Sequence, residues 1–177
     1  MRYLKAIAQG KDCRGHADTV ILQFYWHSPG CPDEMIYEVV GVDTTADGKV
    51  DVLRPEKTDP EALDLDKRQL EAFANSFLKL NWFNAGEHQH RALAMYVDHF
   101  GRTGRPNAVK LDFHERSASK RKASLVYRAA AYDGDSDGVL ESFTNSDIDR
   151  NGVADHADKE LIRSLCIAFL AFEWHQR

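Results

Sequence analysis

Residues 19–53 read TVILQFYWHSPGCPDEMIYEVVGVDTTADGKVDVL and contain three runs rich in β-branched and aromatic residues, at 19–26, 35–42 and 50–53. Gly, Pro and Asp separate these runs, and a similar run occupies residues 3–8. Such runs between turn-forming residues predict strands. Asp47-Gly48 indicates a hairpin turn before the last run. Because the connections are short, the N-terminal third is predicted to be an antiparallel β-meander.

After residue 58 the apolar period changes from two to 3.6, which predicts helices that cover the sheet. Asp59 and Pro60 suit the N-cap and the first position of a helix. Its apolar face consists of Leu63, Leu70, Phe73, Phe77 and Leu80. A second helix is predicted over 87–100, with Leu93, Val97 and Phe100 on one side and its end at Gly101.

The C-terminal half returns to strands before a final helix. Residues 108–114 alternate apolar and polar side chains, which predicts a strand, and 125–132 fits either its partner strand or a short helix. Residues 159–174 are apolar nearly all round, which predicts a buried helix. The expected fold class is therefore α+β: a single domain over 1–177, with a segment of two aspartate loops at 133–158 leading into that helix.

Composition places the chain among water-soluble globular proteins. Hydrophobic residues make up 43% and charged residues 29% of 177 residues, with a net charge of −5. Nine acidic residues and only two basic ones lie between 133 and 160, so the acidity is local. The first twelve residues hold no apolar run of signal-peptide length, and three cysteines form no disulfide framework. A cytoplasmic location is expected.

The aspartates in the segment 147–158, DIDRNGVADHAD, fall on alternate positions. Asp147, Asp149 and Asn151 occupy positions 1, 3 and 5 of a twelve-residue loop, and Asp155 and Asp158 occupy positions 9 and 12. Gly152 at position 6 permits positive φ, so that the carbonyl of position 7 turns inward. Calcium takes six to eight oxygen ligands at about 2.3–2.6 Å, which this spacing brings together.

A second loop, 133–144, starts fourteen residues earlier and has Thr144 in place of an acid at position 12. Both loops resemble EF-hand calcium loops, in which position 12 is normally Glu. Asp158 resembles the dockerin-like variants, and the close spacing resembles thrombospondin type 3 repeats. The resemblance implies calcium as cofactor and the following ligands: Asp147, Asp149, Asn151, Val153, Asp155 and Asp158, with Asp133, Asp135, Asp137, Val139 and Glu141.

A simpler interpretation is that these residues form turns, and that Asp155 caps the last helix with Asp158 at its third position. Turns explain one or two acids each, but not two copies of the same alternating pattern. The first prediction for function is therefore a calcium-binding protein, in which the ion stabilises the fold or conditions a surface for a protein partner. The loop 147–158 is expected to bind more tightly, because it has the carboxylate at position 12.

Two other functions remain open. The acidic segment could engage a basic or nucleic-acid-binding partner without metal, as an interaction or inhibitor protein. Alternatively, Asp98, His99 and His114 could share a pocket in a hydrolase. No nucleotide-binding or hydrolase motif occurs, so an enzyme is not indicated. A membrane span is not expected, since no stretch reaches about 18 apolar residues. Nucleic-acid binding is not expected either, since the basic run at 120–122 is short.

Overall fold

The main element of this fold is one antiparallel sheet. The structure is a computed structural model that describes residues 1–10, 16–58, 65–80, 83, 91–116 and 123–176. The strands within these residues are β1 Arg2–Gln9, β2 Thr19–Trp26, β3 Glu34–Val42, β4 Val52–Thr58, β5 Arg91–Phe100, β6 Pro106–Glu115, β7 Ser124–Tyr132 and β8 Ser142–Phe143. They form one sheet in the order β4-β3-β2-β1-β5-β6-β7-β8, with antiparallel neighbours throughout.

Alternation along the strands explains which face of the sheet is buried. On β1, Leu4, Ala6 and Ala8 are buried, whereas the residues between them are half-exposed. Each fully buried Leu or Phe contributes about 1.5–3 kcal/mol, and a shift of one residue would expose the whole set. The same face of the neighbouring strands supplies Leu22, Phe24, Val39, Leu93, Met95, Leu111 and Phe113.

Two α-helices in the described part of the chain, α1 Lys67–Leu78 and α2 His156–Ala171, cover that face. The helices contact each other, α1 contacts β2, and α2 contacts β7 and β8. In α1 the predicted apolar residues Leu70, Phe73 and Phe77 are buried. Asp66 caps this helix, and its carboxylate accepts the backbone N–H of Arg68 at 2.9 Å. The predicted helix start at 59–60, and the apolar residue predicted at 63, lie outside the described residues.

The predicted helix over 87–100 is wrong, because residues 91–100 form strand β5. Leu93 and Val97 are four residues apart, which fits a helix, but Met95 between them is equally apolar and all three are buried at period two. Phe100, predicted on the apolar side, is 49% exposed. Since β5 pairs with both β1 and β6, the ladder hydrogen bonds to two neighbours decide a conformation that the local pattern leaves ambiguous.

The predicted fold class, α+β with an N-terminal meander packed by helices, is therefore wrong. The N-terminal runs do form strands, but the sheet continues through the second half of the chain instead of giving way to helices. The same connectivity occurs twice: three strands, a loop, a fourth strand and a helix. β1 and β5, the first strands of the two halves, pair at the centre of the sheet.

The remaining predictions concern the C-terminal half. The predicted strand at 108–114 lies within β6, and 125–132 lies within β7, its antiparallel partner. The predicted burial of the last helix on all sides is wrong, because α2 has the sheet on one side only and Ile167 is 57% exposed. A short 3-10 helix, Trp174–Gln176, follows α2, and the Trp174 indole N–H donates to the Tyr3 carbonyl at 3.2 Å. This bond ties the C-terminal segment to β1.

Candidate cation-binding loops

The loop 133–141 connects β7 to β8, and Asp133 at its start is only 2% exposed. The Asp133 carboxylate accepts the backbone N–H groups of Asp137 at 3.2 Å and of Gly138 at 2.7 Å. These bonds hold the backbone of residues 137 and 138 close to the carboxylate of Asp133. Carboxylate oxygens of four residues, Asp133, Asp135, Asp137 and Glu141, consequently lie within 4.8 Å of one another.

The loop 147–158 connects β8 to α2 with the same geometry. The Asp147 carboxylate accepts the backbone N–H groups of Asn151 at 3.1 Å and of Gly152 at 2.9 Å. Position 4 has positive φ in both loops, +63° at Ser136 and +58° at Arg150, and so does the glycine at position 6. Carboxylate oxygens of Asp147, Asp149 and Asp158 lie within 4.8 Å of one another.

Asp158 links this loop to the core. Its side chain lies in the first turn of α2 and is 1% exposed. One carboxylate oxygen accepts the N–H groups of Ile148 at 2.7 Å and of Asp149 at 3.1 Å, and the other accepts the N–H of Asp155 at 2.9 Å. The Asp155 carboxylate in turn accepts the N–H of Ala157 at 2.7 Å, which completes a capping box. The predicted cap at Asp155 is therefore confirmed.

The other predicted ligands have different surroundings. Asp155 lies outside the group of converging carboxylates, since its side chain caps α2. The Asn151 side-chain oxygen accepts the Val153 N–H at 2.9 Å, and its amide donates to Asp149 at 2.9 Å. Val139 and Val153, at position 7 of the two loops, carry exposed side chains. A contribution from either valine would therefore come from its backbone carbonyl.

A third loop of this geometry, 43–51, connects β3 to β4 and was not predicted as a site. The Asp43 carboxylate accepts the N–H groups of Asp47 at 3.3 Å and of Gly48 at 2.7 Å, as Asp133 and Asp147 do at the same offsets. Position 4 again has positive φ, +59°. The signal in the sequence was the spacing Asp43-x3-Asp47-Gly48-x2-Asp51, which matches 133–141 except that position 3 is Thr45.

Asp51 in this third loop serves as a hydrogen-bond acceptor. Its carboxylate accepts the Thr44 hydroxyl and the Thr44 N–H, both at 2.8 Å, and the Thr45 N–H at 3.0 Å. These bonds hold the pKa of Asp51 below its ordinary value, and those from Thr44 have the largest effect. With threonine in place of the acid at position 3, the loop carries fewer carboxylates than the other two.

Negative charge is concentrated in the two acidic groups. The ion pairs found among the described residues involve other acids, and Arg150, which lies in the loop 147–158, has an interaction of its own. Arg105 donates to the backbone carbonyl of Asp137 at 3.0 Å, and the Arg150 guanidinium lies over the Tyr127 ring at 4.5 Å. Two carboxylates 4 Å apart repel by about 1 kcal/mol even in bulk water, and by more near a protein surface.

Neither of the two cavities found among the described residues is lined by the three residues proposed for a hydrolase together. Asp98 and His99 are neighbours on β5, with the His99 ring nitrogen 3.3 Å from the Asp98 carboxylate. His114 on β6 lines a cavity with Tyr3 and Lys5, and neither Asp98 nor His99 lines it. The basic run at 120–122 lies outside the described residues.

No protein-family model, curated protein or solved structure matches this chain. The geometry of the loops themselves is therefore what bears on function. Among the described residues, no helix combines the length and apolar character that crossing a membrane would require.

Proposed function

We propose that this protein binds calcium through its two acidic loops, with Asp147, Asp149 and Asp158 in one site and Asp133, Asp135, Asp137 and Glu141 in the other. The observation that carries the proposal is the convergence of these seven carboxylates into two groups, in each of which the ligand atoms lie within 4.8 Å of one another. A divalent cation at either group would turn the repulsion between the acids into attraction.

The donor atoms favour a hard cation. The side chains of both groups offer only carboxylate oxygens. In the same loops, the backbone carbonyls and the Asn151 side chain are also oxygen donors. Oxygen-only ligands suit calcium, magnesium and manganese, whereas zinc and copper select nitrogen and sulfur. Calcium accepts irregular coordination with many ligands, whereas magnesium demands an octahedron and retains its water. The wound loops, with their several acids, therefore suit calcium better.

The ion would act on the stability of the fold. In the loop 147–158 the first residues follow β8 and the last are in α2, which packs on the core. Asp158 belongs both to the acidic group and to the buried hydrogen bonds that start α2. An ion bound there would hold the start of the core helix against the sheet, so calcium binding and folding should be coupled.

Isothermal calorimetry on the calcium-free protein tests this proposal. Two binding events are expected, the tighter at 147–158, because Asp158 is preorganised by three N–H donors while position 12 of the other loop is Thr144. Asp147→Ala should abolish the tighter event, and Asp135→Ala the weaker one.

Asp47→Ala, in the loop of similar geometry without an acid at position 3, provides the matched control and should leave both events intact. An absence of calcium-dependent heat in the wild type would overturn the proposal. The aspartates would then be residues of turns and helix caps, and the acidic segment would be tested next for binding to a basic protein.

A further inference from the structure

A cavity of about 340 Å³ lies on the face of the sheet opposite the helices. The strand register explains why it forms there. Ala94 on β5 lies between Lys5 on β1 and Asp112 on β6, in direct cross-strand register with both. Because alanine ends at Cβ while the side chains of both neighbours extend further, a depression remains above Ala94. The residues that line it are Met1, Tyr3, Lys5, Ala94, Tyr96, His114 and Ala123.

Two tyrosines form the aromatic wall of this cavity. Tyr3 and Tyr96 are cross-strand partners on β1 and β5, so their rings project from the same face. The Tyr3 hydroxyl donates to Asp33 at 2.7 Å, and the Tyr96 hydroxyl donates to Asp112 at 3.4 Å. Because both hydroxyls already have acceptors, the rings offer the cavity mainly apolar and aromatic surface.

Lys5 supplies an unbalanced positive charge in the cavity. Within the described residues, its ammonium forms no hydrogen bond and no ion pair. In the strand register, Asp112 and Glu38 each lie two strands from Lys5, on opposite sides. Asp112 is held by Arg128 at 2.9 Å, and Glu38 accepts the side-chain amide of Gln23. Burial and the charge of Arg116, which has an interaction of its own, lower the pKa of Lys5.

His114 adds a hydrogen-bonding group rather than a full charge. Burial lowers its pKa, and the charges of Lys5 and Arg128 act in the same direction, while Asp112 opposes them. A neutral imidazole carries one N–H donor. The cavity therefore combines the Lys5 ammonium, one additional donor and an aromatic wall, while the N-terminal ammonium of Met1 already donates to the His27 carbonyl at 2.7 Å. A half-buried cation is costly without a counter-ion, and an anionic ligand would supply one.

We propose that this cavity binds a small organic monoanion, whose carboxylate contacts Lys5 and His114 and whose flat apolar body packs against Tyr3 and Tyr96. Known ligand pockets measure about 300–1,000 Å³, which places this cavity among those for small ligands. A single ammonium with a single N–H matches a carboxylate better than a phosphate dianion. The site shares no residue with the acidic loops, so no ion bound there forms part of it.

NMR titration of the ¹⁵N-labelled full chain with phenylacetate in chelator tests the proposal, with neutral phenylacetamide as the paired probe. Saturable shifts of the Lys5, Ala94 and His114 amide signals are expected with phenylacetate, and at least tenfold weaker binding with the amide. Shifts that do not saturate, that lie outside the cavity, or that are equal for both compounds would overturn it.

Three variants assign the interaction. Lys5→Met should weaken phenylacetate binding at least tenfold and should fold, because it removes an unpaired charge and keeps the length of the side chain. Ala94→Leu fills the floor and should abolish binding with the charge of Lys5 intact. Lys110→Met, on the same face but ion-paired with Asp98 at 3.7 Å and outside the lining, should bind within twofold of wild type. Equal losses in the two lysine variants, or wild-type binding by Ala94→Leu, would contradict the assignment.

Discussion

Replacing Asp158 by alanine separates the structural role of this carboxylate from its proposed role as a ligand. The substitution leaves three N–H donors without their acceptor, on Ile148, Asp149 and Asp155. Ile148 is fully buried, so its N–H would lose the acceptor without access to water, at about 1–3 kcal/mol. The other two donors are partly accessible, and each should cost about 0.5–1 kcal/mol. We therefore expect a total loss of about 2–5 kcal/mol in chelator.

For a chain of this length, 1 kcal/mol shifts the melting temperature by about 2–4 °C. A loss of about 3 kcal/mol should therefore lower the Tm of Asp158→Ala in chelator by about 6–12 °C. Calcium at a hundredfold excess over Kd should stabilise the wild type by about 2.7 kcal/mol, and so raise its Tm by about 5–11 °C. Asp158→Ala should lose most of that gain as well.

Asp149→Ala is the matched control for the thermal measurement. Asp149 is half-buried, and in the described part of the chain its carboxylate accepts bonds from Asn151 alone; these bonds are exposed, so that water can replace the lost acceptor. This variant should melt close to wild type in chelator and lose only the gain from calcium. A Tm for Asp158→Ala within 2 °C of wild type in chelator would refute the hydrogen-bond argument. An equal calcium gain in all three proteins would refute the assignment of the ligands.

Two further predictions rest on buried titratable groups. Burial lowers the pKa of His114 below its ordinary 6.5, so just below that pH the unfolded chain binds more protons than the folded one. The free energy of unfolding should therefore fall as the pH drops through 6.5 toward the lower pKa of the folded state. In urea unfolding at several pH values, His114→Gln should show a shallower fall than the wild type. Burial also raises the pKa of the Cys166 thiol, which leaves little reactive thiolate at pH 8. Iodoacetamide should therefore alkylate the exposed Cys31 far faster than the buried Cys166, as measured by peptide mapping. Equal rates for the two cysteines in the native protein would contradict this burial.

The loop geometry was largely predictable because it is local. The spacing of Asp, Asn and Gly in 133–141 and 147–158 determines which N–H groups each first aspartate can reach, and the structure has those bonds. The loop 43–51 has this spacing except at position 3, and its first aspartate accepts N–H groups at the same offsets. That Asp158 is buried and accepts the N–H of buried Ile148 depends on packing, and no spacing rule predicts it.

The edge and the centre of the sheet were harder to predict, for different reasons. β4 extends to Thr58 through Arg54, Pro55 and polar residues that local preference assigns to a loop, and it lies at the edge, where Pro55 is tolerated. β5 lies at the centre, yet its apolar residues fit both a helix and a strand. In each case the hydrogen bonds to a neighbouring strand outweigh the local preference of the segment.

By itself the sequence determined the early strands, the apolar face of α1 and the turns of the aspartate loops, because these depend on residues within a few positions of one another. Only the tertiary structure decided that β5 is a strand, that the two halves join through β1 and β5, and that Ala94 leaves a cavity beside Lys5. Residues far apart in the chain make these contacts, so their energies depend on the sheet register, which no local pattern contains.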